Sequence, residues 1–246
     1  MRAASAGAPM TPSLSSALPS AGDLALSSQA QFWNRIARKY AQDPIADQPG
    51  YEATLERVRG LLQPEHTVLE VGCGTGSTAL RLAPRVHSYL ATDLSREMVA
   101  IARERLALQP TPGLHFRVAD AVAATAQALK PAPGQADAGP SFDRVLAFNL
   151  LHLLPDLDDS LARLLQALNS GGLFISKTAC VGEMNPLIPR LAIPLARLLG
   201  KAPPVQVFKA PTLLAALERQ NLRIEAVERH GTKGKDIRVF VLARKP

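Results

Sequence analysis

The chain has 246 residues, 47% of them hydrophobic and 20% charged, with a formal net charge of +7. That length supports one sizeable core with an appendage, and the balance excludes a fibrous or wholly disordered chain. The basic residues are scattered singly, with no run of five, so charge alone does not argue for a nucleic-acid partner.

Residues 1–28 are rich in Ala, Ser, Pro and Gly, with one Arg and no sustained apolar stretch. They are expected to be a disordered tail rather than a secretory leader. Helical spacing begins near Gln29, with Phe32, Trp33, Ile36, Ala37 and Tyr40 on one face. Pro44 and Pro49 end it, and a second helix runs from about Tyr51 to Leu62, before Pro64. Together, residues 29–64 read as a helical cap. Strand and helix then alternate. Strands are expected at Thr67 to Val71, Ser88 to Thr92, Leu114 to Val118, Phe142 to Phe148 and Leu173 to Lys177. Helices follow from Ser77, from Ser95, after Asp120 and from Asp158, and a Pro/Gly-rich loop spans 131–140. Asn169-Ser170-Gly171-Gly172 is expected to turn the chain into the fifth strand.

A long apolar, proline-punctuated insertion occupies about 178–210. Its Leu187 to Leu199 stretch is broken by Arg190, Arg197 and prolines, too often for a membrane span. A helix from about Pro211 to Gln220 precedes two apolar stretches joined by Gly231-Thr232-Lys233-Gly234-Lys235, which is hairpin chemistry. The expected fold is α/β. It is a Rossmann-like, doubly wound, mostly parallel sheet of seven strands that ends in an antiparallel hairpin, with the helical cap in front.

The run Val68-Leu69-Glu70-Val71-Gly72-Cys73-Gly74-Thr75-Gly76 carries the most chemistry. A strand enters a glycine-dense turn where a ligand can approach the backbone, and the following helix start offers free amides. The acid-x-G-x-G-x-G form fits the whole run, and it is not followed by the G-K-[ST] of a phosphate-binding Walker loop. A dinucleotide register using Gly74, Gly76 and Ala79 also matches, but it would set the turn far past the strand. Polar markers then stand at the carboxyl ends of successive strands, where an α/β crevice forms: Glu70, Asp93, Asp120 and Asn149.

This constellation, over about residues 65–180, resembles the class I S-adenosylmethionine-dependent methyltransferases, in which the domain would be 65–246. The resemblance implies S-adenosylmethionine as cofactor. Gly72, Cys73, Gly74 and Gly76 would place the turn by the methionyl tail, and Glu70 would meet the ammonium. Asp93 would accept from the ribose hydroxyls, Leu94 and Met98 would pack on adenine, and Asp120 with the Ala121 amide would bond its edge. Asn149 closes the set at the fourth strand. Methyl transfer requires alignment and exclusion of water, with a base only for some acceptors. His152 and Tyr40 are the candidates for a catalytic part, and none is assigned.

Asn149-Leu150-Leu151-His152 departs from the motif of the base-amino methylating enzymes, and the flanks of Cys180 depart from the RNA cytosine enzymes. The expected acceptor is therefore a small molecule, with the 178–210 insertion as a lid. The insertion also suits a homodimer face or, less well, a membrane surface. RNA or protein methylation and an NAD(P)-dependent oxidoreductase are the alternatives. Two cysteines and five dispersed histidines give no disulfide framework and no metal-ligand spacing, so no metal and a cytoplasmic setting are expected.

Overall fold

A computed structural model describes residues 21–121, 141–234 and 236–246. The expected helix and Pro/Gly-rich loop between 122 and 140, and residues 1–20, lie outside the described residues.

Helix α1 runs Ala21–Gln42 and α2 runs Gln48–Arg59. The helix thus begins at Ala21, inside the stretch expected to be a tail. Ala21, Leu24, Ala25 and Leu26 have high helix propensity, which the Ser/Pro-rich composition of the whole segment conceals. After these two helices come β1 (Thr67–Val71), α3 (Ser77–Leu82), β2 (Ser88–Asp93), α4 (Arg96–Leu108), β3 (Leu114–Val118) and β4 (Phe142–Phe148). Then follow α5 (Leu157–Leu164), β5 (Leu168–Ala179), α6 (Ile193–Leu198), α7 (Ala210–Arg219), β6 (Arg223–Glu228) and β7 (Arg238–Arg244).

The strands form one seven-stranded sheet in the order β3-β2-β1-β4-β5-β7-β6. The first five are parallel to their neighbours, and β7 is antiparallel to both β5 and β6. The expected closing hairpin is present. Its connection, residues 229–237, is longer than a tight turn and is tied across itself by Asp236, which accepts from the Gly231 amide at 2.7 Å.

Both faces of the sheet are covered, so its central strands are apolar on both sides. Period-two alternation sorts them. Phe174, Val145, Val241 and Leu69 face Leu161, Leu164, Leu213 and Leu217 of α5 and α7. Ile175, Leu146, Phe240 and Val68 face Leu55, Val58, Leu80 and Val99 on the other side. Helix α1 packs Trp33 and Ala37 on Met98 and Ile101 of α4. It also clamps the start of α4, where Asn34 Oδ1 accepts from Ser95 Oγ at 2.7 Å and from the Glu97 amide at 3.2 Å.

Asn169 to Gly172 is not the expected free turn. It is drawn into β5, because the end of the chain supplies partners: the Gly171 amide donates to Lys245 O at 2.8 Å and the Lys245 amide to Gly172 O at 3.0 Å. The register against β4 slips at that point.

The insertion forms a short turn at Val181–Glu183, a π turn at Ile188–Ala192 and α6. It leans outward, against α1 through Arg35 Nη2 and Gly200 O at 2.6 Å. Leu187, Leu191, Leu195, Leu198 and Leu199 are exposed there. Among the described residues, no helix is long and apolar enough to cross a membrane.

Candidate active site

The turn after β1 needs its glycines. Gly72, Gly74 and Gly76 have φ of +69°, +53° and +78°, a region that side chains adopt only at a cost. Their surroundings differ. At Gly74 a Cβ would meet nothing within 4 Å, so the backbone lies open to a ligand. At Gly76 a Cβ would stand 2.7 Å from Phe116 Cζ and 2.9 Å from Ala102 Cβ. Gly76 therefore seats α3 against β3 and α4. Gly76→Ala is expected to cost about 3 kcal/mol or more, from left-handed backbone plus overpacking. Urea unfolding measures it.

One cavity of about 540 Å³ opens over these strand ends, within the ~300–1,000 Å³ typical of ligand pockets. Its walls include Glu70, Gly72, Cys73, Gly74, Asp93, Leu94, Met98, Asp120, Ala121 and Asn149. Ten of the eleven residues named for cofactor contact thus meet in one place, Gly76 being the exception.

Glu70 is 2% exposed and accepts from the Tyr89 hydroxyl at 2.8 Å. Burial pushes its carboxyl up to about 8, against the pull of that hydrogen bond. Asp93 accepts from the Gly74 amide on one oxygen and from the Ser95 amide on the other, each at 2.8 Å. Burial nevertheless holds its carboxyl above the usual range. Each oxygen keeps a lone-pair site, so Asp93 can fix the turn and still accept from a diol. Met98 has two roles, since it lines the cavity and packs beneath α1. Asn149 sits at φ +52°, and its amide donates to Lys177 O at 2.7 Å, which fixes the bend after β4. Burial raises the Cys73 thiol well above its ordinary value, so it is an inert filler of the turn.

The two catalytic candidates separate. Tyr40 lines the mouth, half exposed, with its phenol held above the usual range by its surroundings and by Asp93. His152 does not line the cavity. It lies in a short turn, Leu151–Leu153, where burial and then Arg238 press its imidazole down to about 4. The 178–210 insertion also contributes no wall residue between Thr178 and Ala210. Cover comes instead from the α1–α2 connection and the β6–β7 loop, which are joined where Thr232 Oγ1 and its amide donate to Asp47, at 2.5 and 2.9 Å. Arg105 ties this cover to the glycine turn, bonding Ala41 O, Thr75 and Ser77.

Tyr51, Thr54, Lys177, Asp236 and Arg238, not singled out from the sequence, also line the cavity. Lys177 lies near the carboxyl end of β5, two residues before Ala179, so the strand-end rule that found Asp93 points to it too.

The cavity fits an adenosyl amino acid. Open space at Gly74 admits it against the backbone, and a buried carboxyl with no cation bonded to it awaits an ammonium.

Comparison with known proteins agrees. Residues 69–174 match the family model described as a methyltransferase domain. The highly reducing polyketide synthase lcsB of Purpureocillium lilacinum is 30% identical over 145 residues, which is 55% of this chain and 5% of that protein. The chain spans a similarly small share, 4–5%, of the other polyketide synthases that it matches. The methyltransferase GfsG of Streptomyces halstedii is 29% identical over 150 residues, 58% of this chain and 50% of its own length. Among solved structures, magnesium protoporphyrin IX methyltransferase (ChlM) from Synechocystis PCC 6803 with bound SAH aligns with a TM-score of 0.59. It is 18% identical, covers 91% of this chain and 98% of its own, and speaks for the fold. Over residues 69–174, then, the chain is similar to a methyltransferase domain.

Proposed function

We propose that this protein transfers a methyl group from S-adenosylmethionine to a small molecule held in the same cavity. One observation carries the reading: Glu70, Asp93, Asp120 and Asn149, from the ends of four strands, line a single cleft beside the open face of Gly74. The cofactor's sulfonium supplies the activated methyl. Glu70 would hold the ammonium, Asp93 the ribose hydroxyls, and Asp120 with the Ala121 amide the adenine edge, while Leu94 and Met98 pack on the ring. Residues 29–64 act as the cap that keeps water out, together with the β6–β7 loop. No base is assigned. Tyr40 is placed to touch a bound acceptor, and His152 is not.

ChlM is named for a small acceptor, and a walled cavity suits a small molecule better than an RNA groove. The nicotinamide register loses support, since Gly76 backs onto Phe116 instead of facing the cleft. With the insertion turned outward, its exposed leucines favour a homodimer contact over a lid. Two free, buried thiols support a cytoplasmic setting.

Incubation with methyl-labelled S-adenosylmethionine and fractionated cell extract tests the reading. Label is expected in the low-molecular-weight fraction. Label confined to RNA or protein would overturn the small-molecule assignment.

A further inference from the structure

We propose that the methyl acceptor is an organic acid whose oxyanion is bound by Lys177 and Arg238. This rests on the methyltransferase reading and deepens it.

Lys177 lies near the carboxyl end of β5, lines the cavity and is 8% exposed. Its ammonium donates to Thr54 Oγ1 at 2.7 Å and to Gly50 O at 3.3 Å. Both partners are neutral, and the third N–H is left for the cavity. A buried ammonium with no carboxylate bonded to it is costly, and a bound anion would relieve that cost. Arg238 opens β7 on the neighbouring strand, paired with Ala179, two residues beyond Lys177. It lines the same cavity, and among the described residues its guanidinium makes no hydrogen bond or ion pair. Its field reaches Lys177, His152 and Tyr40.

Two acids share this wall, and both are already engaged. Asp236 accepts from the amides of Gly231 and Arg238, at 2.7 and 2.9 Å. Asp47 accepts from the Gly50 and Thr232 amides and from the Thr232 hydroxyl. Both act on the Lys177 ammonium through their fields, but neither forms an ion pair with Lys177 or Arg238.

Position separates this pair from the cofactor residues. β5 lies two strands from β1 in the sheet, or about 10 Å at ~4.8 Å per strand. Glu70, Asp93 and Asp120 lie on the β1 to β3 side, and the two cations on the other. Between them Phe148, Leu150, Leu153 and Leu154 make an apolar wall. The chemistry selects an acid with an apolar body: the wall takes the body, and a guanidinium and an ammonium take the carboxylate, phosphonate or phosphate.

The test uses the full chain saturated with S-adenosylhomocysteine. Calorimetry compares 4-hydroxybenzoate and phenylphosphonate with the neutral 4-hydroxybenzamide and phenol. The acids are expected to bind at least about tenfold tighter than their neutral partners. Lys177→Met and Arg238→Gln are each expected to erase about tenfold or more of that preference, the worth of a charged hydrogen bond. S-adenosylhomocysteine affinity should change less than about threefold. Arg238 is exposed, so its variant remains informative even if Lys177→Met fails to fold. Equal binding of acids and neutral partners would overturn the inference. So would variants that loosen S-adenosylhomocysteine instead, which would assign the cations to the cofactor's own carboxylate. Failure of wild-type protein to bind S-adenosylhomocysteine at all would overturn the methyltransferase reading itself.

Discussion

Glu70→Gln is expected to stabilise the ligand-free protein at pH 8.5 and to weaken its affinity for S-adenosylhomocysteine at least tenfold. The two effects share one cause. Glu70 is buried at the foot of the cavity, and burial raises its carboxyl from 4.5 to about 8. In the folded state it keeps its proton to a higher pH than in the unfolded state. Its contribution to stability is therefore fully present below pH 4.5 and is lost as pH rises through 8. Each tenfold difference in proton affinity is worth about 1.4 kcal/mol, so the alkaline loss is on the order of a few kcal/mol. Gln can still accept from Tyr89 and does not ionise, so the variant should keep its melting temperature from pH 6 to 8.5 while the wild type falls.

Binding runs in the opposite sense. An ammonium requires the carboxylate, so the wild type should release most of one proton per ligand at pH 7, seen as a buffer-dependent heat. Gln should release none, and it forfeits a charge-assisted bond worth about 1.5–3 kcal/mol. A wild-type protein whose stability is flat between pH 5 and 8.5, or whose ligand heat is the same in every buffer, would show that Glu70 is not the ammonium's partner.

Asp93→Ala is expected to lower S-adenosylhomocysteine affinity about a hundredfold, with a smaller loss of stability. The side chain holds the Gly74 amide and the Ser95 amide, one with each oxygen. Losing both acceptors should cost about 1–3 kcal/mol, read as a lower urea midpoint. The ribose diol loses a charged acceptor as well, and the glycine turn loses the tether that shapes it. Asp93→Asn keeps one oxygen and should fall between the two proteins. If alanine lowered the midpoint and left the affinity unchanged, Asp93 would be a structural tie alone.

The parts of this fold that were legible in the sequence depend on local pattern. β3 and β4 begin and end where alternation and turn residues place them, at Leu114–Val118 and Phe142–Phe148. The candidate cleft was legible for a related reason: in an open α/β sheet the crevice lies at strand ends, and Glu70, Asp93, Asp120 and Asn149 stand there and line one cavity. What was not legible depends on contacts distant in sequence. The insertion reads as a lid by its apolar content, but its direction is set by contacts such as Arg35 to Gly200 and Gln206 to Leu154. His152 follows the fourth strand as a base might, but the short turn at Leu151–Leu153 leaves it off the cavity wall. Arg238 meets Lys177 only because β7 pairs with β5 across some sixty residues of chain. Gly76 matches the motif, but Phe116 and Ala102, which require it, belong to β3 and α4.

A crystal structure with S-adenosylhomocysteine tests most directly the claim that the ends of β1 to β4 converge on an adenosyl amino acid. The ligand's amino group should lie within hydrogen-bond distance of Glu70, its ribose hydroxyls on Asp93 and its adenine beside Asp120. A ligand bound elsewhere, or seated in the cleft with these three carboxyls turned away from it, would contradict the account.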